Sequence, residues 1–342
     1  MNPSLNLDAL RAYLAQQGVA TEGLRVQPIA GGQSNPTFRL DTRAGSYVLR
    51  KKPSGTLLPG AHAIDREYRV MRALQDTEVP VPRMVAYCED ASVLGTPFYV
   101  MDFLQGRVMM DQSLPGMVQE ERGAIYREMN RVIAALHNVD HVAVGLESFG
   151  KTGQYVQRQI ARWSQQCRAS TLPLSEDMQR LMEWLPEHLP PGDETTLVHG
   201  DYRLDNLIFH PTEARVIGVL DWELSTLGHP LADFAYHGMS WHIPATLWRG
   251  IGGLDLVALG IPSESDYLRQ YEAARGVQGL DEHWDYYMAY NLFRMAAILH
   301  GIAQRAADGT AAGADAVETG SKAAPLASIG WERAQRYAAS RA

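Results

Sequence analysis

The hydrophobic pattern of the chain changes near residue 105, and this change restricts the folds that the chain can adopt. Before that point, segments such as "PTFRLDTRAGSYVLRKKP" alternate apolar and polar residues, which is typical of short strands. After it, long segments such as "QEERGAIYREMNRVIAALHNV" repeat apolar residues at helical spacing. The pattern predicts an α+β protein in which a small antiparallel sheet with a helix precedes a larger, mainly helical part.

We place the boundary between these parts so that residues 1–104 form an N-terminal lobe and residues 105–342 a C-terminal lobe. Near the C-terminus, "ADGTAAGADAVETGSKAAP" is small, polar and aperiodic. This composition predicts a surface loop over residues 309–324.

Charge and cysteine content exclude some classes of protein. The chain has 342 residues and a formal net charge of −8, which argues against binding to nucleic acid through a basic surface. Cys88 and Cys167 form neither a disulfide framework nor a CxxC metal site, as expected in a reducing cytoplasm. No apolar run approaches the roughly 20 residues that span a bilayer. We therefore expect a cytoplasmic protein that binds neither nucleic acid nor membrane, and the oligomeric state is left open.

The segment "LVHGDYRLDNLIFH", residues 197–210, places polar side chains between apolar flanks. Asp201 and Asn206 are five positions apart, and Asp221 follows a second apolar segment, "VIGVL". An amide and a carboxylate from neighbouring strands can converge on one point, and oxygen ligands of this kind suit Mg²⁺. A remaining carboxylate can accept the proton of a hydroxyl group.

This spacing matches the catalytic loop of protein kinases, Asp-x-x-x-x-Asn followed by a metal-binding Asp. On this match, Asp201 is the catalytic base, Asn206 and Asp221 hold the metal ion, and His199 shapes the loop. A plain turn between two strands would also contain polar residues. The apolar flanks, the preceding His-Gly and the placement of the second Asp favour the catalytic interpretation.

A glycine-containing turn in the N-terminal part is a candidate for covering the phosphates of ATP. In "IAGGQSNPTFRL", Gly31 and Gly32 lie between two predicted strands, followed by Ser34 and Asn35. The turn lacks the G-x-G-x-x-G pattern, and a Gly-Gly pair is often a simple hairpin turn. We nevertheless predict that these four residues contact the nucleotide.

Two charged residues and one strand end complete the predicted nucleotide site. Arg50 ends the strand "YVLRKKP" where kinases place a lysine, and Glu67 on the next helix is the expected partner of that cation. Arginine can hold phosphate in a fork, so the replacement is workable but not equivalent. The segment "YVMDFLQG" is the predicted hinge, where the backbone of Asp102, Phe103 and Leu104 would contact adenine.

A second phosphate-binding pattern is present in "GLESFGKT", residues 145–152, which matches G-x-x-x-x-G-K-[ST]. A true P-loop follows a strand and opens a helix. The preceding "HVAV" is short and comes directly after a long helix. We interpret the segment as a connection into the helix "YVQRQIARW".

Taken together, these segments resemble the aminoglycoside phosphotransferase and choline kinase superfamily. "HGDYRLDN" stands where protein kinases have His-Arg-Asp, and "LDWE" where they have Asp-Phe-Gly. "RKKPSGTLLPGAHAIDREYRV" and "NLFRMAAILHGIAQR" resemble the branch found as kinase-like domains linked to acyl-CoA dehydrogenases. The resemblance implies a two-lobed protein-kinase-like fold, ATP and Mg²⁺ as cofactors, and phosphoryl transfer to a small-molecule hydroxyl. It also implies that Asp233, in "HPLADFAYH", supports the catalytic loop.

The same branch implies a hydroxyacyl-CoA or a hydroxy acid as the phosphate acceptor. An aminoglycoside or amino alcohol is the alternative, because a fold does not determine its substrate. The candidate residues of the acceptor pocket are Arg203, Glu223, Trp241, His242, Trp284, Tyr287 and Arg294. Aromatic residues on a helix belong more often to the core than to a ligand site.

Two functions of other classes remain as alternatives. A metal-dependent hydrolase would arrange His199, Asp201, His210 and Asp221 around a metal-bound water. A non-catalytic nucleotide-binding module would need no base, and the complete set of Asp201, Asn206 and Asp221 argues against it.

Overall fold

A computed structural model describes residues 5–29, 35–54, 63–311 and 313–341 of the chain. Gly31, Gly32 and Ser34 of the predicted glycine turn lie outside these ranges. Within them, none of the helices combines the length and apolar character needed to cross a bilayer.

A five-stranded antiparallel sheet forms from the first hundred residues, as the alternating pattern predicts. Its order is β1-β2-β3-β5-β4, with strands β1 (Arg25–Pro28), β2 (Thr37–Asp41), β3 (Ser46–Lys51), β4 (Met84–Cys88) and β5 (Phe98–Asp102). Residues 42–45 close the β2–β3 hairpin, where the N–H of Thr42 donates to the carbonyl of Gly45 at 2.9 Å. The sheet is accompanied by helices α1 (Leu7–Gln16), α2 (Ile64–Leu74) and α3 (Ala91–Leu94).

Alternation along the strands directs apolar side chains to one face. Leu40, Leu49 and Val100 are completely buried in the core of the sheet, together with Leu10 and Leu14 of α1. Burial of this kind provides most of the favourable free energy of folding. The sheet thereby gives the ends of β3 and β5 fixed positions.

Among the described residues, the remaining chain contains two short antiparallel strand pairs and nine α-helices. The strands are β6 (Thr196–Val198), β7 (Leu207–Phe209), β8 (Val216–Val219) and β9 (Thr226–Gly228); β6 pairs with β9 and β7 pairs with β8. The helices are α4 (Gln119–His137), α5 (Tyr155–Arg168), α6 (Glu176–Glu187), α7 (Pro230–Gly238), α8 (Leu256–Leu259), α9 (Glu264–Arg275), α10 (Asp281–Ala307), α11 (Ala316–Ser321) and α12 (Ala323–Ala339).

The described residues group into two compact units. The first contains the residues up to Val108 together with Val142–Leu146 and Asn206–Ser225, and the second contains the rest. The β7–β8 hairpin thus packs within the first unit, although the division at residue 104 assigns it to the C-terminal lobe. A Cβ on Gly106 would lie 2.2 Å from the carbonyl oxygen of Phe209, so the chain approaches the hairpin closely at that glycine.

Helix α10 is the centre of the second unit. It has 27 residues and packs against α5, α6, α7, α11 and α12. Its buried residues run from Trp284 to His300, so it is buried around most of its circumference. The long helical pattern in the sequence is confirmed.

The prediction of a loop over residues 309–324 is wrong for the second half of that range. Residues 316–321 form α11, and α12 begins at Ala323. Small residues here serve close helix packing, since a Cβ on Gly320 would lie 2.7 Å from the Cβ of Ala303 on α10. Small, weakly apolar side chains produce no strong periodic signal, which is why the sequence pattern suggested a loop.

Candidate active site

Arg50 and Glu67 form the ion pair that the sequence predicts. Arg50 lies on β3 and Glu67 on α2, and the Nε–Oε2 distance is 3.1 Å. The hydroxyl of Tyr99 donates to Glu67 Oε2 at 2.8 Å, and Nδ2 of Asn35 donates to Oε1 at 3.0 Å. Glu67 is only 1% exposed, so its carboxylate is held on both oxygens inside the first unit. Asn35, predicted to contact the nucleotide, is itself completely buried and positions Glu67.

Burial and charge act in opposite directions on this pair. Burial alone would lower the pKa of Arg50, but Tyr99, Glu67 and Asp221 raise it above its ordinary value. The guanidinium therefore remains charged. Burial raises the pKa of Glu67 above its ordinary value, despite the opposing effects of Arg50 and Tyr99. The carboxylate accordingly depends on Arg50 to remain ionised in this buried position.

The β7–β8 hairpin brings the two predicted metal ligands to one end of the same strand pair. Asn206 directly precedes β7, Asp221 follows β8, and Leu207 is paired with Val219. The N–H of Leu220 donates to the carbonyl of Asn206 at 2.9 Å, which extends the pairing by one step. This antiparallel register places Asn206 opposite Leu220, so Asp221 follows one residue later at the same end of the strand pair.

Asp221 has an unusual backbone conformation for a residue other than glycine. Its φ is 64° and ψ is 58°, in the left-handed region that Asp and Asn tolerate best. Strand β8 ends at Val219, one residue before the end of the apolar segment "VIGVL", and this turn follows. The Oδ1 of Asp221 lies 3.4 Å from Nη2 of Arg50. Strained backbone of this kind often occurs where a side chain must point in one required direction.

The donor atoms on this hairpin fit a magnesium ion. Asn206 offers an amide oxygen and Asp221 a carboxylate, which are hard oxygen ligands. Asp221 is half-buried, with its side chain 35% exposed, so a cation there can keep water ligands. Asn206 is 8% exposed and is held by the backbone bond to Leu220.

The predicted hinge segment is bound into the sheet. The N–H of Asp102 donates to the carbonyl of Arg83 at 2.9 Å, and the N–H of Phe103 donates to the carbonyl of Ser46 at 3.1 Å. Leu104 packs towards Gly218, where a Cβ would lie 2.3 Å from its Cδ1. These two N–H groups are therefore already used within the first unit, and the contact of this segment with adenine stays a prediction.

Asp233 organises the loop that precedes Asp201. Its Oδ2 accepts the N–H of His199 and its Oδ1 accepts the N–H of Gly200, both at 2.8 Å. Gly200 has a φ of +83°, a conformation that favours glycine. This contact agrees with the supporting role that the family resemblance implies for Asp233.

A buried histidine completes the environment of Asp233. His137 Nε2 lies 3.1 Å from Asp233 Oδ2, and its Nδ1 lies 2.6 Å from the hydroxyl of Tyr271. Burial lowers the pKa of His137, so the ring is neutral. Burial would raise the pKa of Asp233, but the hydrogen bonds from His137 and from the backbone N–H of His199 hold it below the ordinary value. The carboxylate is ionised and can only accept, so His137 donates from Nε2 and accepts from Tyr271.

The Asp201 side chain is held by residues of the second unit. Tyr236 on α7 donates its hydroxyl to Asp201 Oδ1 at 2.5 Å, and Arg203 Nε lies 3.1 Å from the same oxygen. The Asp205 carboxylate lies 3.3 Å from the guanidinium groups of both Arg203 and Arg249. Negative and positive side chains therefore alternate around Asp201 and Asp205. Tyr236 and Arg249 were not identified from the sequence, where a lone Tyr or Arg carries no motif.

The other candidate acceptor residues are distributed over both units. Trp241 and Trp284 are buried and donate their indole N–H groups to Pro262 and Glu264, at 3.0 and 2.7 Å. This burial favours a structural role for both.

The remaining candidates also have partners within their own unit. His242 Nε2 lies 2.5 Å from Glu264, and Tyr287 contacts His229 at 3.0 Å. Arg294 is buried and donates to the carbonyl of Gly200 at 2.8 Å. Glu223 belongs to the first unit, and its charge raises the pKa of Arg50.

The residues of the P-loop pattern are used for packing. Residues 141–145 form turns, no strand is assigned between α4 and α5 in this fully described stretch, and α5 begins only at Tyr155. A Cβ on Gly150 would lie 2.3 Å from Thr226 Oγ1, so this glycine permits close contact with β9. The carbonyl of Lys151 accepts from Arg158 at 2.9 Å. The interpretation as a connection is confirmed.

Comparison with known proteins identifies the family and the fold. The model of the phosphotransferase enzyme family matches residues 25–283. The chain is 46% identical over 333 residues to acyl-CoA dehydrogenase family member 10 of Mus musculus; the match covers 96% of this chain but 31% of the mouse protein. The chain thus spans about a third of the length of that curated relative.

Solved structures share the fold. A crystal structure from Ralstonia eutropha, of a protein to which aminoglycoside phosphotransferase activity is attributed, has a TM-score of 0.90 and 53% identity, over 97% of this chain and 99% of that one. A thermostable mutant of aminoglycoside phosphotransferase APH(4)-Ia, in a ternary complex with ADP and hygromycin B, has a TM-score of 0.61 at 15% identity, over 93% and 97%. The kinase-like α+β fold is thereby confirmed, and the chain belongs to the phosphotransferase enzyme family.

Proposed function

We propose that the chain transfers the γ-phosphoryl group of ATP to a hydroxyl group of a small molecule. The observation that carries this proposal is the position of the Arg50 guanidinium, 3.1 Å from Glu67 and 3.4 Å from Asp221. A largely buried cation linked to a helix carboxylate and to a candidate metal ligand corresponds to the arrangement that protein kinases use for phosphoryl transfer from ATP.

The proposed chemistry follows from the side chains. Arg50 binds phosphate oxygens of ATP, and Asn206 and Asp221 hold Mg²⁺, which neutralises phosphate charge when bound. Asp201 orients the acceptor hydroxyl and accepts its proton as the oxygen bonds to the γ-phosphorus. The bond from that phosphorus to the bridging oxygen breaks, and ADP leaves. Orientation and charge neutralisation supply most of the rate enhancement.

We propose a hydroxyacyl-CoA or a hydroxy acid as the acceptor. The similarity to an acyl-CoA dehydrogenase family member supports an acyl substrate. An aminoglycoside acceptor is the second candidate, supported by the hygromycin B complex of a protein with the same fold.

The alternatives of other classes make different predictions. A metal-dependent hydrolase needs His199 as a ligand, yet His199 is completely buried and its Nδ1 accepts the N–H of Asp201 at 3.2 Å. This contact favours the loop-shaping role. A non-catalytic module would bind ATP without turnover.

The test is a screen of acceptors with Mg·ATP, read by mass spectrometry for a mass gain of one phosphoryl group. The panel contains 3-hydroxybutyryl-CoA, 3-hydroxybutyrate, choline and kanamycin. Phosphorylation of an acyl compound supports the proposal, and phosphorylation of kanamycin alone supports the second candidate. Hydrolysis without ATP, with a transition metal found by elemental analysis, would support the hydrolase.

A further inference from the structure

Helix α7 carries two side chains that act on the same loop. Asp233 and Tyr236 are three residues apart and therefore lie on one face of the helix. Asp233 accepts the backbone N–H groups of His199 and Gly200, and Tyr236 reaches the side chain of Asp201. One helix face thus holds both the loop backbone and the carboxylate that the loop presents.

The contact between Tyr236 and Asp201 is short and protected from solvent. The hydroxyl lies 2.5 Å from Asp201 Oδ1, and Tyr236 is 7% exposed. Burial and the Asp201 charge raise the pKa of Tyr236 well above its ordinary value. The hydroxyl therefore keeps its proton throughout the assay range and acts as a donor to the carboxylate.

Arg294 contacts the ring of the same tyrosine. Its guanidinium lies 4.9 Å from the centre of the Tyr236 ring, and Nη2 donates to the carbonyl of Gly200 at 2.8 Å. Gly200 is therefore bound through its carbonyl by Arg294 and through its N–H by Asp233. The buried guanidinium attracts the face of the Tyr236 ring, and this contact helps to hold the ring in place.

We propose that Tyr236 is a positioning residue for phosphoryl transfer: its hydroxyl fixes the orientation of the Asp201 carboxylate, and Arg294 fixes Tyr236. This inference rests on the proposed function, since it requires Asp201 to be the base. Neither the kinase-loop pattern nor the family match assigns a role to this tyrosine. When the carboxylate is turned away from the direction of attack, phosphoryl transfer is slower even though all the catalytic groups are present.

The substitution Tyr236→Phe removes the hydroxyl and keeps the ring under Arg294. We expect kcat to fall by about tenfold to a hundredfold, while the KM for ATP changes by less than about twofold. The matched control is Tyr286→Phe. Tyr286 is completely buried on α10, and its hydroxyl donates to the carbonyl of Leu185 at 2.8 Å. This control is expected to retain the wild-type kcat.

Two further variants separate positioning from a structural effect. Site-specific 3-fluorotyrosine at position 236 keeps the donor and should retain kcat within about threefold of wild type, because the hydrogen bond is preserved. In an Asp201→Asn background, Tyr236→Phe should cause no further loss of turnover, because the tyrosine acts only through that carboxylate. Thermal unfolding of each variant checks that the fold is retained.

The experiment measures phosphorylation of 3-hydroxybutyryl-CoA and of kanamycin. Phosphoryl transfer from Mg·ATP to water, which is ATP hydrolysis, serves as a readout that needs no acceptor molecule. A wild-type kcat in Tyr236→Phe, or an equal loss in the Asp201 and Asp201→Asn backgrounds, overturns the positioning role alone. A wild-type protein that transfers phosphate to neither acceptor nor water overturns the proposed function, and the positioning role with it. Loss in Tyr236→Phe, restored by 3-fluorotyrosine, supports the inference.

Discussion

The guanidinium of Arg50 lies 3.1 Å from the carboxylate of Glu67, although the two residues are on different elements, β3 and α2. Glu67 is almost fully buried, so its charge depends on this partner and on Tyr99. The pair therefore links folding to nucleotide binding: the same cation that stabilises a buried carboxylate is the one we assign to the phosphates.

Loss of Arg50 should reduce both stability and ATP affinity. Arg50→Gln leaves Glu67 as an uncompensated buried charge, and we expect about 3 kcal/mol lower free energy of unfolding and weaker ATP binding. Arg50→Lys keeps the positive charge but lacks the forked guanidinium. Its stability and its ATP affinity should therefore lie between those of wild type and Arg50→Gln. Urea denaturation and ATP titration measure the two effects. The double variant with Glu67→Gln should recover part of the stability; no recovery would show that the pair is not coupled.

Removal of a candidate metal ligand should change the dependence on magnesium. Asp221→Asn keeps a side chain that tolerates the left-handed conformation of this residue, φ 64°, but removes its charge. We expect the Mg²⁺ concentration for half-maximal turnover to rise by about tenfold or more, as for loss of a carboxylate ligand. Glu213→Gln, an exposed residue at the turn of the same hairpin, is the matched control. An unchanged magnesium requirement in Asp221→Asn would remove this residue from the metal site.

Asp233 should make stability depend on pH at the acidic end. Its pKa is lowered below the ordinary value of 3.8, so the stabilisation that it contributes is present above that value and is lost as the pH falls further. Asp233→Asn places an amide against two N–H donors and should cost about 3 kcal/mol at pH 7. The difference between wild type and variant, measured by urea denaturation, should shrink below pH 3.8. A difference that does not change with pH would contradict the ionised assignment.

Lys151 should be dispensable for ATP binding despite its place in a P-loop pattern. Its segment follows turns and not a strand, and Gly150 serves contact with β9. Lys151→Met should leave the KM for ATP within about twofold, whereas loss of a phosphate-binding lysine removes a charge-assisted contact and weakens binding strongly. An increase comparable to that of Arg50→Gln would restore the P-loop interpretation.

The sequence predicts elements well where one face must be buried. The strands of the first hundred residues and the long helices carry strong period-2 and period-3.6 patterns, and both were placed correctly. Helix α9 was missed because its apolar residues, Tyr267, Leu268 and Tyr271, are few among charged ones. Helix α11 was missed because alanine and glycine, which allow close packing on α10, resemble a loop in composition.

The candidate site was predictable only where residues form a spaced motif. Asp201, Asn206 and Asp221 carry the kinase-loop spacing, and Arg50 and Glu67 follow from the order of strand and helix. Contacts made across long sequence separations leave no local signal. Tyr236 is 35 residues from Asp201, and Tyr99 is 32 residues from Glu67, so the sequence pattern predicts neither contact.

The assignment of Asp201 as the base is the central claim, and one comparison tests it directly. Phosphoryl transfer from Mg·ATP is measured for wild type and Asp201→Asn with the acceptor that the wild type uses, alongside ATP binding by calorimetry. We predict a fall in kcat of about 10²- to 10⁴-fold, because Asn cannot accept the proton, with ATP affinity within about threefold of wild type. Near-normal turnover in Asp201→Asn would contradict the account.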